Sequence, residues 1–246
     1  MMNFRFRPVL TIALLAALGV LVSLGTWQMQ RLAWKRALIE MTEARVAAEP
    51  VTFTSVYRDV VTDPDRDFSY TPVEVRGRFR HDLEAHLFGS LDGAPGFYIF
   101  TPLRLATTQG DDDTAFVYVN RGFVPQAAKS QEARMAGIID GLVVVRGLLR
   151  MPSSGTGLAK ALRPANDPDT NIWHERSPAV FAAAAQINAV PVYIDSFGEE
   201  NPGPLPKGGT TRLDFSNRHL QYALTWYGLA LTLIGVFVAF SVSRRD

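Results

Sequence analysis

Two long apolar runs bracket a middle in which apolar and polar positions alternate. Val9 to Trp27 carries no charged residue, nor does Tyr222 to Val242, and a helix of about 20 apolar residues crosses about 30 Å of hydrocarbon. The pattern predicts transmembrane helices over 9–27 and 222–242. Arg5 and Arg7 ahead of the first run also fit a secretory signal, but no clean small-x-small cleavage site precedes Gln28. Two spans put the tails 1–8 and 243–246 on one side and residues 28–221 on the other.

After the first run, Trp34, Leu38, Met41 and Ala48 recur at helical spacing, so the helix is expected to continue or restart until Pro50. In "VEVRGRF", Val73, Val75 and Phe79 alternate with charged residues, a half-buried strand in which Gly77 marks a bulge or close approach. "GFYIFTPLRL" and "AFVYVNRGFVP" flank the polar "ATTQGDDD" and predict an antiparallel pair. Further strands are expected in "LVVVRGLLR" and "VPVYID". A short helix lies between them, with Ser177 as its cap, Pro178 at its first position and "AVFAAAAQI" as its body. Met151 to Arg176 and "EENPGPLPKGG" read as irregular loop. The expected fold is a membrane protein: two transmembrane helices flanking an α+β domain with mainly antiparallel pairing.

Composition narrows the chemistry. A net charge of +1 gives no support to a nucleic-acid partner. The absence of cysteine removes disulfides, thiol exchange and thiolate metal sites. Arg5, Arg7, Arg244 and Arg245 favour cytoplasmic termini, yet Arg31, Lys35, Arg36, Arg212 and Arg218 crowd the opposite flank, so charge alone leaves the orientation open. Those cations read either as headgroup contacts with the lipid bilayer or as a site for an anionic ligand.

Four histidines carry the candidate chemistry. His81 and His86, five apart, are poorly placed to share a metal and are expected at the surface. His174 in "NIWHER" reads as a structural loop residue. His219 stands at the mouth of the second run, and helical spacing aligns it with Ala223, Trp226, Ala230 and Leu233. His219 to Trp226 is about 10 Å along a helix. That face suits a flat apolar ligand whose iron takes the imidazole; it also suits the plainer reading, an interfacial histidine above a close-packed helix pair. On the first run Trp27 and Trp34 share a face, with Arg31 and Lys35 placed to neutralise carboxylates or to anchor at the interface. No nucleophile elbow, HExxH, Walker loop or GxGxxG is present, and "GTG" at 155–157 lacks the rest of a phosphate cradle, so the chain does not read as an enzyme.

In order along nearly the whole chain, "LGTWQMQRLAWK", "VEVRGRF", "VYVNRGFVP", "NDPDTNIWH", "VPVYID" and "NRHLQYALTWYGLA" resemble the surfeit locus protein 1 family. The resemblance implies a cytochrome c oxidase assembly factor with two spans and an extracytoplasmic domain, facing the periplasm in a bacterial inner membrane. It implies that haem a is bound as cargo and passed to oxidase subunit I, with haem a synthase as a second partner. The family's haem-binding histidine matches His219, the ligand to the haem iron, and its tryptophan matches Trp226. Trp27, Arg31 and Lys35 are then expected to complete the site as contact and rim. An assembly scaffold that never touches haem is the alternative, and it would rely on the Arg121 turn or the His174 loop.

Overall fold

The computed structural model describes residues 3–4, 8–63, 66–106, 115–152, 161–211 and 217–243. Arg5, Arg7, Arg212, Arg244, Arg245, most of the acidic loop (107–114) and Gly155 to Gly157 lie outside the described residues. In chain order the elements are β1 (Asn3–Phe4), α1 (Pro8–Val46), β2 (Val51–Thr52), α2 (Phe53–Thr62), β3 (Pro72–Phe79), β4 (Ala85–Leu91), β5 (Ala94–Leu105), β6 (Phe116–Pro125), β7 (Val143–Arg150), α3 (Pro178–Ala185), β8 (Ala189–Ser196), α4 (His219–Ser241) and β9 (Val242–Ser243). They form two compact units, one of residues 1–43 with 213–246 and one of residues 44–212.

The first unit holds the two apolar helices. α1 runs unbroken for 39 residues, about 58 Å at about 1.5 Å per residue, so the membrane-length run and the expected continuation are one helix. Its Trp34, Leu38 and Met41 are exposed. α4 starts at His219, three residues before the predicted span. Both helices are long and apolar enough to cross a membrane. β1 and β9 join antiparallel beside their ends.

The second unit is built on one sheet with strand order β2-β3-β7-β8-β6-β5-β4, and β3 pairs also with β5, so β3, β7, β8, β6 and β5 close into a ring. Inside it sit Val73, Val75, Leu103, Val117, Val119, Val145, Leu149, Val192 and Ile194, with Phe53 and Val60 of α2 packed on the same cluster. Closure leaves the core strands without a free edge. The expected β5–β6 pair is present and antiparallel. Gly77 stands where β3 turns from β7 to β5, and a Cβ there would meet the Arg104 carbonyl oxygen at 2.3 Å.

The sheet is mixed, which corrects the mainly antiparallel expectation. β2 runs parallel to β3 and β6 parallel to β8. Parallel neighbours need a crossover connection. α2 supplies the first, and the chain from Gln126 to Asn188, which includes β7 and α3, supplies the second. α3 begins as expected, with Ser177 at the cap position and Pro178 at N1, but the Ser177 carbonyl rather than its hydroxyl engages the helix, accepting from the Val180 and Phe181 amides.

Candidate functional site

Polar chemistry gathers in each unit, and on the helices it gathers at His219. Three- and four-residue steps bring His219, Ala223, Trp226, Ala230 and Leu233 to one side of α4, where the alanines are buried and the others partly so. α1 approaches that side closely. A Cβ at Gly25 would lie 2.6 Å from the Tyr227 ring, and the Thr26 and Tyr227 hydroxyls are 3.3 Å apart. Three residues beyond Gly25, the Gln28 amide oxygen meets His219 Nδ1 at 2.7 Å. Facing a carbonyl oxygen, Nδ1 is placed as the donor, and Nε2 is the nitrogen not engaged by Gln28. An imidazole held this way presents one nitrogen in the form that binds a metal.

The other residues expected at this site divide. Trp226 shares the half-buried face of His219, and Lys35 is half-buried on α1. Trp27 and Arg31 are exposed, and the Arg31 guanidinium lies over the Trp34 ring at 4.4 Å. Gln28, which the sequence pattern did not single out, is the residue that reaches His219. Its signal is an uncharged amide at the mouth of an apolar run, a place where polar side chains usually have a partner.

In the domain, His81 and His86 are not surface residues. They converge on the buried carboxylate of Glu84 because the 3-10 turn at His81–Leu83 redirects the chain between them. His81 Nδ1 lies 3.1 Å from Glu84 Oε1 and 3.4 Å from an Arg121 nitrogen, and its Nε2 lies 3.2 Å from the Ile139 amide nitrogen and 3.1 Å from the Ile139 carbonyl oxygen. His86 Nε2 stands 3.7 Å from Oε2. Arg134 donates to Oε2 at 2.5 Å, Thr101 to Oε1 at 3.2 Å, and Gln131 to Oε2 and to the His81 carbonyl. Arg121, fully buried in β6, sits 3.9 Å from Oε1. It donates to the Gly137 carbonyl and to Asn201 Oδ1, and its guanidinium lies over the Phe79 ring.

Burial opposes ionisation of Glu84, but hydrogen bonds from His81 and Arg134, the His86 ring 3.7 Å away and the Arg134 charge outweigh it and hold the carboxyl far below the usual carboxylate range. Burial pushes Arg121 down to about 10, with Glu84 and Glu200 working the other way. Both stay charged at neutral pH. The cluster ties together β5, β6, the start of β4 and the segments around Arg134 and Asn201. Arg121 is thus interior rather than a docking turn.

The loop "NDPDTNIWH" docks on β4. Asn171 donates to the Glu84 carbonyl at 2.6 Å and accepts from the Trp173 indole at 2.7 Å, and Trp173 is buried against Phe181. The backbone amide of His174 donates to Asn166 Oδ1, and its ring rests 5.7 Å from that of Phe88. Among the described residues no group of three or more His, Asp or Glu side chains is placed to hold a metal ion.

A family model described as the SURF1 family matches residues 15–231. Proteins named Surfeit locus protein 1 from Xenopus tropicalis and Homo sapiens are each 36% identical to this chain over 84% of its length, covering 67% and 69% of their own. A SURF1-like protein from Monosiga brevicollis is 34% identical over 92% of the chain and 85% of its own length.

Proposed function

This chain belongs to the SURF1 family, known as cytochrome c oxidase assembly factors, and from that premise we propose that it is a haem a carrier serving oxidase assembly. Its two apolar helices suit a membrane protein by length and composition; the inner membrane of a bacterium, with the domain in the periplasm, is part of the proposal. His219 Nε2 is the axial ligand to the iron of the cargo, Trp226 lies against the macrocycle, and Trp27 flanks it. Arg31 and Lys35 meet the propionates. The observation that supports this reading is the 2.7 Å contact between Gln28 and His219 Nδ1, which orients the ring and leaves Nε2 as the nitrogen not engaged by Gln28.

A carrier must hold an apolar macrocycle out of water and still release it. One imidazole with an amide behind it gives weaker retention than two strong axial ligands would. Haem a synthase would supply the cargo and oxidase subunit I would receive it; neither step asks this chain for catalysis. The test is co-purification with subunit I from cells with and without haem a synthase. A carrier whose docking depends on cargo should lose most of the subunit when haem a is absent. Equal recovery in both strains would favour the scaffold.

A further inference from the structure

In the domain, β5, β6, β7 and β8 share a cleft of about 660 Å³ lined by Tyr98, Asn120, Arg150, Arg176, Asp195 and Thr211, with Ser90 and Asp92 at its rim. This volume is in the range of small-molecule sites. Most of the floor is satisfied internally. Asp195 accepts from Asn120 at 2.8 Å and from Arg150 at 3.3 Å, and the Asn120 oxygen accepts from the Gly122 amide. The Arg150 guanidinium also rests on Tyr70, 4.3 Å from the ring centre. Asp92 has a partner of its own.

Arg176 is the exception. Its guanidinium lies near the rings of Tyr98 and Tyr193, at 5.7 and 5.9 Å, and makes one long hydrogen bond to the Tyr193 hydroxyl at 3.4 Å. Among the described residues no carboxylate comes within 4.0 Å of it. A guanidinium has five N–H donors in a planar fork, so most of those on Arg176 have no protein acceptor among the described residues. Burial opposes the Arg176 charge and Asp195 acts on it only through space, beyond ion-pair distance, so its unfilled N–H donors carry a desolvation cost. An oxyanion that takes two parallel N–H groups offsets that cost.

We propose that this cleft binds a small polar oxyanion, a carboxylate or a phosphate, with Arg176 as its anchor and the Thr211 and Ser90 side chains beside it. The site lies wholly within the domain and is independent of the haem reading. The polar lining does not suit a porphyrin face.

The test is calorimetric titration of the full-length protein in detergent with inorganic phosphate and, separately, with succinate, each against chloride at matched ionic strength. Saturable binding of at least one probe is expected, and which probe binds identifies the anion class. Arg176→Gln should weaken binding at least about tenfold, Arg176→Lys by less because the charge survives without the fork, and the exposed Arg104→Gln not at all. If Arg176→Gln does not fold, the decision passes to the wild type, where bound probe should shield Arg176 from phenylglyoxal. Absence of saturable binding by either probe, unaltered affinity in Arg176→Gln, or unshielded modification at saturating probe would overturn the proposal.

Discussion

Glu84→Gln is expected to lower the unfolding free energy of the domain by about 3–5 kcal/mol, the usual consequence of removing one partner from a buried ion pair. Arg134, with a fully buried side chain, would lose the negative charge 2.5 Å away, and Arg121 the one 3.9 Å away. The amide replacement keeps the shape and one acceptor, so the loss comes from the uncompensated cations. Chemical denaturation of the full-length protein at pH 7 measures it. The pH dependence has a definite sign. The folded carboxyl is held far below its unfolded value of 4.5, so the unfolded state binds the extra proton first. The stabilisation is complete well above that value and drains away as pH falls below about 5 toward the folded value. Across that window the gap between wild type and Glu84→Gln should narrow.

Gly122→Ala is the second large loss, about 2–4 kcal/mol. Gly122 has φ of +126°, and a Cβ there would lie 2.0 Å from the Lys207 carbonyl oxygen. That oxygen cannot move aside freely, because Phe123 and Lys207 exchange hydrogen bonds through both amides at 2.9 Å. Strain and collision therefore add. Gly93→Ala is the control: φ is +84° but nothing lies within 4 Å of the added carbon, so only the backbone term of about 1 kcal/mol remains. Paired denaturation midpoints of the two variants check the difference. The same geometry explains why "VNRGFVP" places Arg121 and Gly122 together. One is the cation inside the fold, and the other lets the Lys207 strap close over β6.

Features that need only one segment were legible in the sequence. The two apolar runs gave both long helices, the β-type runs flanking the acidic loop gave the β5–β6 pair, and Gly77 gave the close approach to Arg104. What escaped depends on partners distant in the chain. Phe53–Thr62 is a ten-residue helix rich in β-branched and aromatic residues, so its helical form comes from packing Phe53 and Val60 into the ring rather than from propensity. Parallel pairing of β6 with β8 is decided by where the crossover returns. The Glu84 cluster draws Arg121 and Arg134 from other elements, so the five-residue spacing of His81 and His86 carried no hint that both turn inward. At the helix mouth the periodicity found His219 and Trp226, but only the register between α1 and α4 selects Gln28 over its neighbour Trp27.

Whether His219 holds haem a is read from the reduced absorption spectrum and extracted pigment of the full-length protein. It should be purified in mild detergent from cells making haem a, alongside His219→Ala. A haem a spectrum is expected in the wild type, and His219→Ala should abolish it while the protein still folds and enters the membrane. A colourless wild type that still carries oxidase subunits, or a His219→Ala variant with unchanged haem a, would contradict haem a binding at His219.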